Sequence, residues 1–147
     1  MRIILGLLIA LNSIFQIPVK KINDQQSELT LNYLEYELKG CGCRYSFDSI
    51  QFTQKKFIMI EDFDNNEIAI KVNGTITSLR LSETKMPKKE KVNQDTFSND
   101  HYELYMETEP GERLANHSLI INGNIILKNN QGQKLQKSIY GICGCGE

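Results

Sequence analysis

The sequence predicts an all-β protein, an antiparallel small barrel or sandwich of about eight strands whose N- and C-terminal strands are joined by disulfides. Short runs with alternating apolar residues recur along the 147 residues, and no long stretch has the period of a helix. The chain contains 3 Pro and 10 Gly, and two Asn-Gly pairs lie between apolar runs. All 4 cysteines lie in two Cys-Gly-Cys tripeptides, one early and one at the end.

An apolar segment opens the chain. Arg2 is followed by the apolar run 3–10, which is the layout of a secretory signal peptide and is too short for a membrane span. We therefore expect a signal peptide over residues 1–18, a flexible lead-in over 19–27 and a single β domain over 28–147. No stable membrane span is expected after signal cleavage. An uncleaved anchor or a buried first strand is the alternative.

The first half of the domain predicts five strands. "ELTLNYLEYEL", residues 28–38, changes its apolar parity near Tyr33, which favours a strand with a bulge over a helix. Residues 41–47 carry cysteines and aromatics on one parity, and "KFIMIEDF" is a short apolar strand. "EIAIKV" and "TITSLRL" flank Asn73-Gly74, which predicts a hairpin with a type I′ turn.

The second half predicts a long loop and further hairpins. "KMPKKEKVNQDTFSND" has no periodicity and is expected to be an exposed loop, and "HYELYME" is expected to be a strand. "SLII" and "NIIL" flank Asn122-Gly123, which predicts a second hairpin. "NNQGQ" is a further turn, and "KLQKSIYGICGC" is the last strand.

The cysteines predict a double staple between the terminal strands. Cysteines two residues apart in a strand point to the same side, so antiparallel pairing gives Cys41–Cys145 and Cys43–Cys143. Parallel pairing would give Cys41–Cys143 and Cys43–Cys145 instead. The predicted antiparallel meander favours the first arrangement. The intervening glycines would let the opposite face approach a neighbour closely. A Cys₄ site for zinc or Cu(I) from the same four residues is the main alternative, and a redox motif is another.

A basic segment is the candidate binding loop. Lys85, Lys88, Lys89 and Lys91 lie together in the predicted exposed loop and would suit an anionic partner. A flexible soluble loop is the simpler interpretation, because no aromatic residues accompany the lysines.

Two further patterns resemble functional sites. In "EDFDNNE", Asp62, Asp64 and Asn66 alternate like the start of a calcium loop, but the required glycine is replaced by Glu67, so an acidic turn is favoured. The 2 histidines lie sixteen residues apart and lack metal-like spacing.

Composition and motifs limit the function classes. The formal net charge of −1 does not favour nucleic acid as a partner. We find no nucleophile motif and no catalytic residue, and we expect no cofactor, so the chain is not predicted to be an enzyme. Because disulfides belong to oxidising compartments, the protein is expected to be secreted or periplasmic.

"GCGC" with following aromatics, "IAIKVNG", "LRL", a tyrosine-bearing strand and the final "GICGC" together resemble a group of small secreted bacterial proteins with paired Cys-Gly-Cys motifs. The layout is also similar to inhibitors of C-type lysozyme, which are small eight-stranded barrels with an early cysteine bridged to one near the C-terminus. The resemblance implies a non-enzymatic binding domain of the cell envelope, whose partner is a protein or small ligand. A metal-binding protein is the alternative function.

Overall fold

The structure is a computed structural model that describes residues 28–86 and 91–145. The predicted signal peptide, 1–18, and lead-in, 19–27, lie outside the described residues. No helix in the described part of the chain has the length and apolar character needed to cross a membrane.

The chain forms nine strands and one short helix. In chain order they are β1 Leu31–Asn32, β2 Cys41–Ser46, α1 Ser49–Thr53, β3 Met59–Asp62, β4 Glu67–Val72, β5 Thr75–Lys85, β6 Asn93–Ser98, β7 Tyr102–Arg113, β8 Leu119–Asn129 and β9 Lys134–Cys145.

Eight of the strands close into a barrel. From β2 to β9, each strand pairs antiparallel with the next one in the chain, and β9 pairs back onto β2. We call this closing β2–β9 pair the seam. The predicted all-β class and the disulfide-joined terminal strands are confirmed, and the architecture is the barrel rather than the sandwich.

Apolar side chains fill the barrel along most of its length. Successive side chains in a strand alternate between the inside and the outside, so each strand contributes every second residue to the core. The fully buried interior residues include Met59, Ile68, Ile70, Leu79, Phe97, Leu104, Met106, Ile125 and Leu127. At the end of the barrel where β2 begins and β9 ends, polar side chains replace part of this apolar interior. We call this end the mouth.

The predicted hairpin at Asn73-Gly74 is confirmed. Asn73 has φ 47° and Gly74 has φ 84°, as a type I′ turn requires, and the turn joins β4 to β5. The Asn73 side chain also accepts hydrogen bonds from the backbone and hydroxyl of Thr30, both at 2.9 Å. The turn therefore anchors the chain that leads into the barrel.

The predicted first strand, 28–38, is wrong for most of its length, since only Leu31–Asn32 is a strand. β1 pairs with the last two residues of β4, because β3 already occupies the rest of that edge. Leu34 and Leu38 instead pack on the outer face of the barrel in a second apolar cluster with Ile60 and Ala69. The switch in parity marks a change from the inner to the outer layer rather than a bulge.

The predicted second hairpin, at Asn122-Gly123, is also wrong. β8 runs without interruption from Leu119 to Asn129, and neither residue of the pair has positive φ. Gly123 lies opposite Thr108 of β7, and a Cβ atom at Gly123 would reach the carbonyl oxygen of Glu107. The glycine is needed for close approach of two strands, not for a turn.

The predicted exposed loop contains a barrel strand. β5 continues to Lys85, and β6 spans Asn93–Ser98, with Phe97 only 1% exposed. Asn93, Asp95 and Phe97 share the inner face of β6, so two of its three inward residues are polar. The apolar alternation that marks other strands is therefore missing from this one.

The short helix α1 was not expected from the sequence. Its N-cap is Asp48, whose carboxylate accepts a hydrogen bond of 2.8 Å from the backbone N–H of Gln51. The spacing of Asp48 and Gln51 is the capping-box pattern, which is the signal that could have predicted the helix.

Candidate functional site at the barrel mouth

Two disulfides hold the seam at the mouth. Cys41 is bonded to Cys145 and Cys43 to Cys143, with sequence separations of 104 and 100. The predicted antiparallel connectivity is confirmed, and the parallel alternative is excluded. Cys43 is buried in the core, whereas Cys145 is exposed at the rim.

The glycines between the cysteines face the outside of the barrel. A Cβ atom at Gly42 would lie 3.0 Å from Leu38 Cδ2, and one at Gly144 would lie 2.6 Å from Ser118 Oγ. Outer segments of the chain therefore lie directly against both glycines, as the sequence predicts.

The disulfides occupy all four sulfur atoms, and no cysteine is free. The Cys₄ metal site that the sequence left open would require the reduction of both bonds. Among residues 28–86 and 91–145, no cluster of three or more His, Cys, Asp or Glu residues is arranged to hold a metal ion.

A cavity of about 270 Å³ opens at the mouth, inside the ring of strands. We call it the mouth cavity. Its lining combines the inner disulfide, apolar side chains and a small set of polar groups. The lining residues are Cys43, Tyr45, Glu61, Phe63, Asn93, Asp95, Thr108, Leu119, Ile121 and Cys143.

Tyr45 and Glu61 form the polar centre of the cavity. Tyr45 is 3% exposed, and its hydroxyl donates a hydrogen bond of 2.8 Å to Glu61 Oε2. Tyr45 lies opposite Gly141 on β9, where a Cβ atom would overlap the tyrosine ring. Gly141 therefore gives the ring the space from which its hydroxyl reaches Glu61.

Burial dominates the protonation of this pair. The pKa of Glu61 is raised from 4.5 to about 7, mainly by burial; the hydrogen bond from Tyr45 acts in the opposite direction, and the charge of Asp95 contributes a smaller rise. Burial and the nearby Glu61 charge raise the pKa of Tyr45 well above 10, so the phenol keeps its proton. Near neutral pH the Glu61 carboxyl is therefore populated in both its protonated and its ionised form.

The charged residues that line the mouth cavity, Glu61 and Asp95, are both acidic. Asp95 Oδ1 accepts a hydrogen bond of 2.7 Å from the Thr84 hydroxyl, but no Lys, Arg or His is among the described residues that line the cavity. Glu61 Oε1 and Asp95 Oδ2 accept no hydrogen bond from any described residue. The cavity can therefore accept a positively charged or hydrogen-bond-donating group.

The basic segment lies at the same end of the barrel, in the connection from β5 to β6. Lys85 forms an exposed ion pair with Glu83 at 3.1 Å, and Lys91 is exposed. Lys88 and Lys89 lie outside the described residues. The candidate binding loop thus begins and ends at the rim of the mouth.

The calcium-like pattern forms the β3–β4 turn. Asp62 Oδ1 accepts from the backbone N–H of Asp64 at 2.9 Å, and Oδ2 accepts from the Asn65 side chain at 2.7 Å. These bonds, led by the one from the Asn65 side chain, lower the pKa of Asp62. Its carboxylate stabilises the turn, in agreement with the predicted acidic turn.

The two histidines are not brought together. His101 lies in the β6–β7 connection, at the end of the barrel opposite the mouth, and His117 lies in the β7–β8 connection at the mouth end.

The sequence did not identify Glu61 or Asp95 as site residues. Glu61 alternates with Met59 in β3, which predicts a shared face, but both faces of this strand are apolar and the sequence does not say which one is inside. Asp95 was hidden in the predicted loop.

Comparisons with protein-family models, with curated proteins and with solved structures find no match to this chain. The function is therefore inferred from the geometry of the barrel and its mouth.

Proposed function

We propose that the chain is an exported, non-enzymatic β-barrel domain of the cell envelope that binds a cationic group in its mouth cavity. The cationic group belongs to a small ligand or to a side chain of a partner protein. The observation that carries the proposal is the pairing of Glu61 and Asp95 in a cavity whose described lining residues include no cation.

The chemistry of the cavity favours an ammonium group. Glu61 and Asp95 supply negative charge, while Phe63, Leu119 and Ile121 supply apolar contact for the carbon chain that carries it. A ligand of this kind would replace the water that solvates the carboxylates and would favour the ionised form of Glu61. The double disulfide makes the site rigid before binding, which reduces the entropic cost of association.

Export is supported by two independent features. The N-terminal segment has the signal-peptide layout, and two disulfides are typical of proteins that fold in an oxidising compartment. Intact-mass analysis of the protein recovered from its own host would test both features, because cleavage near residue 18 and four thiols that label only after reduction are expected.

Titration with n-butylammonium chloride tests the binding site. The oxidised protein, labelled with ¹⁵N, is titrated at pH 8 and at pH 5.5, and backbone amide shifts are followed. We expect saturable shifts around Glu61 and Asp95 at pH 8. Because Glu61 is largely protonated at pH 5.5, the affinity should fall there by up to about 30-fold.

Glu61→Gln is the informative variant, since it removes the charge and keeps an acceptor for Tyr45. It should bind weakly at both pH values, whereas Glu103→Gln, an exposed carboxylate on β7, should behave like the wild type. Equal binding by wild type and Glu61→Gln, or shifts spread evenly over the surface, would contradict the proposal.

A narrower candidate, inhibition of C-type lysozyme, is supported by the barrel architecture and by the bridge between terminal strands. The basic segment at the rim would then enter the lysozyme cleft. Purified oxidised protein should inhibit a C-type lysozyme, and replacing Lys85, Lys88, Lys89 and Lys91 by Gln should weaken inhibition. Failure against C-type, goose-type and invertebrate-type lysozymes would remove this candidate without affecting the ammonium site.

A further inference from the structure

A second concave surface lies on the outside of the seam. It has a volume of about 790 Å³, within the range of small-molecule sites, and we call it the seam groove. Arg44, Ile142 and Gly144 form its floor on β2 and β9. The segment from Phe52 to Phe57 forms one wall, and the β7–β8 connection forms the other.

The charged groups of the groove are both cations. Arg44 and Lys55 line it, and within residues 28–86 and 91–145 neither forms a salt bridge. No Asp or Glu is among the described residues that line the groove. The groove is therefore complementary to negative charge, and the planar guanidinium of Arg44 is suited to a carboxylate or phosphate.

The neutral polar groups also present donors. Asn116 Oδ1 accepts a hydrogen bond of 3.1 Å from the backbone N–H of Ser118, and the amide nitrogen of Asn116 donates to no described residue. The Ser118 hydroxyl lies beside it, next to Gly144. Together with Lys55 on the opposite wall and Arg44 on the floor, these donors surround the same space.

The remaining surface of the groove is apolar and aromatic. The rings of Phe52 and Phe57 make an edge contact with centroids 5.2 Å apart, and Phe52 also contacts Tyr140 at 5.5 Å. Ile142 extends this apolar surface across the floor, where Gly144 has no side chain to fill it. The charge and the apolar surface therefore lie within one groove.

We infer that the seam groove binds a small organic anion, a carboxylate or phosphate attached to an aromatic ring or short aliphatic group. Arg44 and Lys55 bind the anionic group, Asn116 and Ser118 donate to its oxygens, and the phenylalanines contact the apolar part. The size of the groove and its two walls favour a small molecule over a flat membrane or a long peptide. The site is separate from the mouth cavity, because the groove lies on the opposite face of the same strands.

Three probes separate the parts of this ligand. Phenyl phosphate carries the charge and the ring, inorganic phosphate carries the charge alone, and benzyl alcohol carries the ring alone. Titration of ¹⁵N-labelled oxidised protein at pH 7.5 should give saturable shifts of the amides of Lys55, Asn116, Ser118 and Ile142 with phenyl phosphate. The two partial probes should bind at least about tenfold more weakly.

Charge-neutralised variants test the assigned residues. Arg44→Gln and Lys55→Gln should each weaken phenyl phosphate binding by about tenfold. Lys137→Gln makes the same kind of change at an exposed lysine that lines neither the groove nor the mouth cavity, and it should leave the affinity unchanged. The amide spectrum of each variant establishes that the barrel is intact.

Four results would overturn the inference. The first is the absence of saturable shifts with phenyl phosphate, and the second is equal affinity for phenyl phosphate and inorganic phosphate. The third is phenyl phosphate binding that survives both Arg44→Gln and Lys55→Gln. The fourth is sedimentation with phosphatidylglycerol vesicles that requires Arg44 and Lys55, in a protein that does not bind phenyl phosphate. The last result would assign the groove to a membrane surface. Glu61→Gln should not alter phenyl phosphate binding, so failure of the groove and failure of the mouth site are distinguishable.

Discussion

Replacing Glu61 by Gln should stabilise the folded barrel at pH 8 and leave its stability nearly unchanged at pH 4. Burial raises the pKa of the Glu61 carboxyl from 4.5 to about 7, and the unfolded chain returns it to its ordinary value. Each unit of pKa difference corresponds to about 1.4 kcal/mol of unfolding free energy. Because Glu61 is only partly buried and faces an open cavity, we expect about 2–3 kcal/mol rather than the full value.

The direction follows from where the proton is bound. Between pH 4.5 and 7, the folded protein holds a proton on Glu61 that the unfolded chain has released. The stability that Glu61 confers is therefore complete below pH 4.5 and is lost as the pH rises through 7. Glutamine cannot ionise, and its carbonyl oxygen can still accept the hydrogen bond from Tyr45.

Urea unfolding of the oxidised protein, followed by far-ultraviolet circular dichroism, measures the effect. Wild type, Glu61→Gln and the exposed control Glu103→Gln are compared from pH 4 to pH 8.5. Groups shared by all three proteins cancel in the differences. The wild-type and Glu61→Gln curves should coincide at pH 4 and separate progressively up to pH 8, while the control follows the wild type.

Parallel curves for wild type and Glu61→Gln across this range would refute the reasoning, as would a variant that is less stable at pH 8. Either result would mean that the ionised carboxylate is compensated in the folded protein, for example by a cation from the segment between β5 and β6. The same outcome would weaken the case for an ammonium ligand.

The remaining predictions concern the two disulfides and the wall of the seam groove. Because both disulfides close nearly the same loop of about 100 residues, removing Cys41–Cys145 alone by alanine substitution should cost less than about 1 kcal/mol, whereas removing both should cost at least about 4–5 kcal/mol in denaturant unfolding. Removing Cys43–Cys143 alone should lower the free energy of unfolding by more than removing Cys41–Cys145 alone, since Cys43 is buried. Two equal single losses whose sum equals the loss in the double removal would contradict this prediction. Lys55 has φ 57°, where glycine is favoured, so Lys55→Gly should raise stability by up to about 1 kcal/mol while weakening phenyl phosphate binding. A loss of stability in that variant would show that the lysine side chain packs favourably.

The seam could be predicted from sequence because its chemistry is local in each strand. Cysteines at alternate positions must share a face, and two such strands fit each other in one antiparallel register. Asn73-Gly74 was predictable for the same reason, since the turn needs positive φ at both positions and the flanking strands alternate.

The features that could not be predicted from sequence have a common physical cause, because each depends on which part of the chain packs against it in the folded protein. Asn122-Gly123 has the same local pattern as the true turn, and only the approach of β7 explains the glycine. β6 lacks apolar alternation because Asn93 and Asp95 face the mouth cavity. The inward direction of Glu61 depends on the outer cluster that covers the other face of β3. The proposed mouth site was thus hidden where the sequence departs from the simple pattern of a barrel strand.

The two Cys-Gly-Cys tripeptides contribute to both proposed sites, because successive residues of a strand face opposite sides of the sheet. Cys43 and Cys143 face the mouth cavity, while Gly144 faces the seam groove. A slip of one residue between β2 and β9 would exchange the two faces, placing glycine in the mouth and Arg44 in the barrel interior. One disulfide resists such a slip at a single point, whereas two bridges separated by two residues also prevent the strands from pivoting about it. The second bridge, which adds little loop-closure entropy, is therefore best explained as a device that keeps the mouth and the groove in register.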